Sequence, residues 1–237
     1  MDIKDSFLRI LYPRRCVICD NIISYECNYF ICPDCEGKNE WIKGKVCDKC
    51  GKPIDYMGLC KTCRNSKYFF DKAYALYVYK DEIRESIHRM KYSKRGSYTR
   101  YYGMDMAEFA DKHNLPHVDY VTCVPVHRSR YVKRGYNQSY LLAEAYCKHR
   151  GEQYKLLVLR KRKTKPQSSL NKEQRKVNIK GVFSFNTECG VDIKGKSVLI
   201  IDDIYTTGST INEIARVLKN AGAKTVYALC LSIVDVD

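Results

Sequence analysis

The stretch of this chain richest in reactive side chains is 198–210, V-L-I-I-D-D-I-Y-T-T-G-S-T. An apolar run ends in two carboxylates, Asp202 and Asp203, then come hydroxyl residues, one glycine and a segment of helical spacing. That order suits a phosphorylated sugar. A helix start offers unpaired backbone N–H groups and a partial positive charge. Thr206, Thr207, Ser209 and Thr210 add hydroxyl donors, and Gly208 lets the backbone close on a phosphate. Carboxylates repel phosphate, so Asp202 and Asp203 are expected to accept from vicinal sugar hydroxyls and to help hold a Mg²⁺–ligand complex. The stretch has no G-x-x-x-x-G-K and is not a Walker A loop.

A second anion site is suggested by V-P-V-H-R-S-R-Y-V-K-R-G-Y-N-Q-S, residues 124–139. Arg128, Arg130, Lys133 and Arg134 follow a strand-like run and precede Gly135. Guanidinium groups bind phosphate oxygens in pairs, whereas a merely solvated loop has no need of this placement. Between the two lies a basic segment, 160–178, whose single acid is Glu173. It has no apolar period over 161–176 and reads as a mobile loop, either a lid over the site or an arm for nucleic acid.

Thirteen cysteines set the third feature; nine precede residue 64, and eight of those form four Cys-x-x-Cys pairs. Without an export signal such pairs indicate metal rather than disulfides. Zinc takes four ligands, so four pairs make two structural sites. The simplest assignment is sequential: Cys16, Cys19, Cys32 and Cys35 around one ion, Cys47, Cys50, Cys60 and Cys63 around the other. An interleaved assignment is also compatible with the spacing. Gly51 fits the turn after Cys50, and Cys27 is spare. Lys43, Lys45, Lys49, Lys52 and Trp41 could meet a single strand by charge and stacking, although a purely structural ribbon explains them as well. Of five histidines, only His127, in the basic loop, is a candidate for chemistry.

The elements that must position these groups follow from periodicity. Residues 1–66 form the cysteine-rich region. Residues 67–237 alternate helices, at 81–92, 98–113, 137–150 and 209–220, with strands at 118–126, 154–159, 197–201 and 225–234. Such alternation predicts an α/β fold with a mainly parallel sheet. Ligands then bind beyond the carboxyl ends of its strands.

The 198–210 string resembles the phosphoribosyl pyrophosphate motif of type I phosphoribosyltransferases. The resemblance implies their Rossmann-like fold, with ribose hydroxyls on Asp202 and Asp203, the 5′-phosphate on 206–210 and pyrophosphate on the 128–134 loop. It also implies a closing loop carrying Arg160, Gln167 and Arg175, and an acceptor-binding hood over 71–92. Paired zinc ribbons, then R-x-R-x-x-K-R-G-Y-N-Q, T-x-x-Q-x-x-L and D-D-x-x-T-T-G, resemble the ComF (ComFC) competence family in content and order. That family implies a link to natural transformation, uptake of single-stranded DNA and a DNA-translocating helicase. Two functions follow: a phosphoribosyl-transferring enzyme using phosphoribosyl pyrophosphate and Mg²⁺, or a non-catalytic single-stranded-DNA-binding adaptor. Glutamine hydrolysis is not expected, since the N-terminal cysteines are committed in pairs.

Composition agrees. The 237-residue chain carries a formal net charge of +15, which favours anionic partners, and 45% hydrophobic residues, enough for a core. No run of about twenty apolar residues occurs. The first residues are too charged for a signal peptide, so a cytoplasmic location is expected.

Overall fold

Strand alternation sorts the apolar residues of the sheet into two cores. Ile201, Leu229 and Leu231 face one side, and Val198, Ile200, Ala228 and Cys230 the other. The structure, a computed structural model, describes residues 13–24, 30–93, 95–164 and 172–235. Its main sheet contains β1 (Lys72–Val78), β2 (Tyr120–Cys123), β5 (Ser197–Tyr205) and β6 (Thr225–Ile233). The order is β1-β6-β5-β2, and every pairing is parallel. A separate antiparallel pair joins β3 (Val158–Arg160) and β4 (Phe183–Phe185).

Helices cover both faces. α1 (Lys61–Arg64) belongs to the cysteine-rich region. α2 (Asp81–Tyr92), α3 (Tyr98–Lys112) and α5 (Gln138–Arg150) cover the first core. α7 (Ser209–Asn220) covers the second, with α6 (Lys172–Ile179) against it. α4 (Arg128–Arg134) is a short helix between β2 and α5. Gly103 of α3 permits the approach of α5; a Cβ there would stand 2.4 Å from that of Ala145.

Three expectations are revised. The 71–92 hood divides, because K-A-Y-A-L-Y-V becomes β1 and only Asp81–Tyr92 is left to approach the site. The 154–159 strand does not join the main sheet beyond a bridge at Tyr154; its end turns away into the β3–β4 pair. The basic segment runs into α6, a helix unmarked by apolar period; among its described residues only Ile179 is buried.

The cysteine-rich region straddles the sheet at β1. Cys16, Cys32, Cys35, Val17 and Ile18 are buried in the first core, and Cys47, Cys50, Cys60 and Cys63 in the second. β1 is an outer strand, and an outer strand exposes unpaired backbone groups. The ribbons cover it: Ala73 N–H donates to the Lys49 carbonyl at 2.8 Å, and Ile42 N–H to the Leu76 carbonyl at 2.7 Å. Gly51 is required here twice. Its φ is +74°, and a Cβ would meet the Ala73 carbonyl oxygen at 3.0 Å.

Polar contacts fasten the first ribbon to the helices. Arg95 binds Asp20 through two hydrogen bonds of 2.8 and 2.9 Å, and Tyr98 OH donates to the Cys16 carbonyl at 3.1 Å. Trp41 Nε1 donates to Asp105 Oδ1 at 3.0 Å, Tyr77 OH donates to Oδ2, and the indole packs edge-on against Phe109. Trp41 thus anchors the ribbon to α3. The lysines near it are engaged too: Lys43 pairs with Glu40, Lys45 donates to the Asp55 carbonyl, Lys49 to that of Asp71, and Lys52 pairs with Asp235.

Burial pushes the Asp105 carboxyl up to about 6, against the hydrogen bonds from Tyr77 and Trp41. A carboxyl raised in the folded state favours folding while protonated and loses that contribution as pH rises through the folded value. Wild type should therefore lose about 1 kcal/mol between pH 5 and pH 8 that Asp105→Asn does not lose. Urea unfolding of both chains at the two pH values measures the difference.

Candidate functional site

β5 carries the two acids past the end of β2, and alternation turns them apart. Asp203 lies on the Ile201 side and is 5% exposed. Lys91 Nζ of α2 stands 2.8 Å from its Oδ1, and Gln138 Nε2 of α5 donates to Oδ2 at 2.7 Å. Gln138 Oε1 accepts from Arg134 at 2.9 Å, and Arg134 also reaches the Tyr92 hydroxyl at 3.2 Å and lies over that ring. A continuous network thus joins α2, α4, α5 and β5.

Asp202 takes the opposite side and is half-buried. Ser139 Oγ donates to its Oδ1 at 3.0 Å. Burial, and next the charge of Asp203, push its carboxyl up to about 7. Arg160 of β3 is held below its usual range, to about 10, by burial and by the nearby charges of Arg130 and Arg162, while Asp202 opposes the shift. Its guanidinium also lies over Phe183 and donates to Thr164. The charges of Arg130 and Asp202, far apart in sequence, thus both act on Arg160.

Beyond β5 the chain runs through Thr206 and Thr207 to Gly208, whose φ of +71° starts α7. Thr207 Oγ1 and Ser209 Oγ are 2.8 Å apart, and Thr206, Thr207 and Thr210 are half-buried. α7 has twelve residues and no side-chain cap, so its first N–H groups are served by no side chain of the capping residue.

Arg128 and Lys133 of α4 are exposed, and Arg130 half-buried. The basic loop is thus helical. His127 caps it, its Nδ1 accepting from Ser129 N–H at 3.1 Å, which is a structural role. Arg175 lies on α6. Gln167 and Leu170 fall outside the described residues, as does Cys27. Lys91, Gln138 and Ser139 were not singled out from sequence. For Lys91 a signal existed: it lies four residues after Ile87, in line with the buried stripe Ile83–Ile87, where a lysine must find a partner.

The cysteines form two groups of four in sequential order, Cys16, Cys19, Cys32, Cys35 and Cys47, Cys50, Cys60, Cys63, with the sulfurs of each group within 4.8 Å of one another. Sulfurs of Cys19 and Cys32 are 3.6 Å apart, and those of Cys50 and Cys60 3.9 Å. Four thiolates at about 2.3 Å from zinc stand about 3.8 Å apart on a tetrahedron, so both groups fit Zn²⁺. Cys32 N–H donates to Cys16 Sγ and Cys60 N–H to Cys47 Sγ, the hydrogen bonds that a thiolate ligand accepts.

Comparison with known proteins agrees with this construction. Residues 7–64 match the double zinc ribbon domain family, and residues 139–233 the phosphoribosyl transferase domain family. Fold and site together define a phosphoribosyltransferase-type α/β protein with an N-terminal double zinc ribbon. The chain is 30% identical over 206 residues to competence protein ComFC of Streptococcus pneumoniae, covering 85% of this chain and 86% of that one. It is 30% identical over 196 residues to DNA utilization protein YhgH of Escherichia coli O6:H1, covering 78% and 83%. To competence protein ComFC of Bacillus subtilis it is 26% identical over 233 residues, covering 87% and 89%. The chain belongs to this ComFC and YhgH family. Among the described residues no helix is long and apolar enough to cross a membrane.

The two acids should respond differently to mutation. Asp203→Ala strands the Lys91 ammonium, whose side chain is 14% exposed, and should cost about 3 kcal/mol in urea unfolding. Asp202→Asn keeps an acceptor for Ser139 and should leave stability within about 0.5 kcal/mol of wild type. Metal analysis should find two zinc ions per chain, and one after Cys16→Ser with Cys35→Ser.

Proposed function

We propose that this chain binds phosphoribosyl pyrophosphate with Mg²⁺ and transfers the phosphoribosyl group, in a process tied to DNA uptake. The observation that carries the reading is the placement of Asp202, half-buried and accepting from Ser139 Oγ at 3.0 Å, near the end of the strand that leads into the 206–210 loop and α7. Asp202 would accept from the ribose hydroxyls. The N–H groups at the start of α7, with Thr206, Thr207, Ser209 and Thr210, would hold the 5′-phosphate. Arg128, Arg130, Lys133 and Arg160 would meet the pyrophosphate and neutralise it as it departs from a carbocation-like sugar.

The geometry favours unequal roles for the two acids. Asp203 is already satisfied by an ammonium and an amide, and a cation does not fit beside Lys91. Its role is to fix α2 and α5 against β5. Asp202 suits Mg²⁺, which prefers a few carboxylate oxygens together with phosphate oxygens and water. When bound, that ion offsets the charge of the pyrophosphate.

The link to DNA rests on relatives named for competence and DNA utilization. On this reading the ligand site serves natural transformation from within the cytoplasm, with single-stranded DNA and a DNA-translocating helicase as partners. A non-catalytic DNA adaptor is the competing outcome of the test. Calorimetric titration with phosphoribosyl pyrophosphate and Mg²⁺ should give saturable binding that Asp202→Asn weakens at least about tenfold. Absence of binding by wild type overturns the proposal. DNA uptake that survives Asp202→Asn but not loss of the zinc ligands would favour the adaptor.

A further inference from the structure

The second group of cysteines shares a core with the residue that leads into the phosphate loop. Tyr205 closes β5, immediately before Thr206, and is 5% exposed. Its hydroxyl lies in the space that a side chain on Gly208 would need, 2.2 Å from an ideal Cβ. The phenol therefore sits directly under the turn that opens α7. The other side of its ring meets Phe70 edge-on at 6.4 Å, and Phe70 packs against Tyr68 at 4.8 Å. All three belong to the core that contains Cys47, Cys50, Cys60 and Cys63, with Tyr68 packed against it. Burial first, and then Cys50, Tyr68 and Cys63, hold the Tyr205 hydroxyl neutral. The same segment reaches α7 a second time, where Phe69 N–H donates to Asn212 Oδ1 at 2.6 Å.

We infer that the second zinc site is the rigid support of the phosphate loop, acting through Tyr205, while the first zinc site has no such role. The first ribbon lies in the opposite core, with α2, α3 and α5. Zinc fixes four cysteine side chains at once, so its loss loosens whatever leans on them. A phosphate cradle depends on N–H groups held to within fractions of an ångström, and a supporting side chain behind them sets that precision. Tyr205 is thus a positioning residue. It contacts the backbone of the loop and the zinc-bearing core, and phosphate meets only the loop. The inference rests on the phosphate reading of 206–210.

The test uses the whole chain with ribose 5-phosphate as probe, binding followed by calorimetry and zinc counted by metal analysis. Tyr205→Leu should keep two zinc ions and the wild-type circular dichroism, yet weaken ribose 5-phosphate about tenfold or more. Cys50→Ser with Cys63→Ser should bind one zinc and weaken the probe to the same degree. Cys16→Ser with Cys35→Ser should also bind one zinc but keep the wild-type affinity. Equal binding by wild type and Tyr205→Leu, or equal weakening by the two cysteine pairs, overturns the inference. If the second-ribbon variant does not fold, Tyr205→Leu still decides, since it leaves every zinc ligand in place. A wild-type chain that binds no ribose 5-phosphate removes the phosphate reading itself, an outcome distinct from the others.

Discussion

A carboxylate that is almost wholly removed from water needs a charge partner, and Asp203 finds one in Lys91. This ion pair fixes more than its own two residues. Lys91 ends α2, Gln138 begins α5, and Asp203 stands at the tip of β5, so satisfying one buried charge aligns three elements at the carboxyl end of the sheet. Arg134 extends the alignment to α4 through Gln138. With Asp203 so committed, its neighbour Asp202 is half-buried and accepts from Ser139 Oγ instead. Two adjacent residues of one type thus divide into an acid paired with an ammonium and one that we propose meets the ligand, because alternate residues of a strand point to opposite faces.

The zinc ribbons gain their position from the same sheet. β1 is an outer strand that needs cover, and the ribbons supply it with backbone hydrogen bonds and a buried group of cysteines on either face. A region of this size cannot bury much apolar surface by itself, and metal ligation offsets that deficit. Because the cysteines are part of the two cores, the ribbons are neither tethered appendages nor free arms. Trp41 illustrates the consequence: an aromatic that could have served a nucleic acid is held by Asp105 and Phe109.

Much of this was legible in the sequence where local chemistry dominates. The strand–DD–TTGST–helix string, the four Cys-x-x-Cys pairs and the helices with clear apolar stripes all carry their signal in neighbouring residues. The order of zinc ligands was not legible, since spacing alone permits interleaving; packing on opposite faces of the sheet separates the groups. β1 was hidden because its apolar residues read as the start of the following segment rather than as an outer strand. α6 was hidden because, among its described residues, only Ile179 is buried. The unequal fates of Asp202 and Asp203 depend on Lys91, more than a hundred positions away, a contact that no local pattern announces.

The decisive measurement is a structure of the chain with ribose 5-phosphate and Mg²⁺. The expected complex has a phosphoryl group within hydrogen-bond distance of the backbone N–H groups at 207–209, a ribose hydroxyl on Asp202, and Lys91 still on Asp203. Phosphate found on the ribbons or on exposed lysines, with the 206–210 loop and Asp202 untouched, would contradict it.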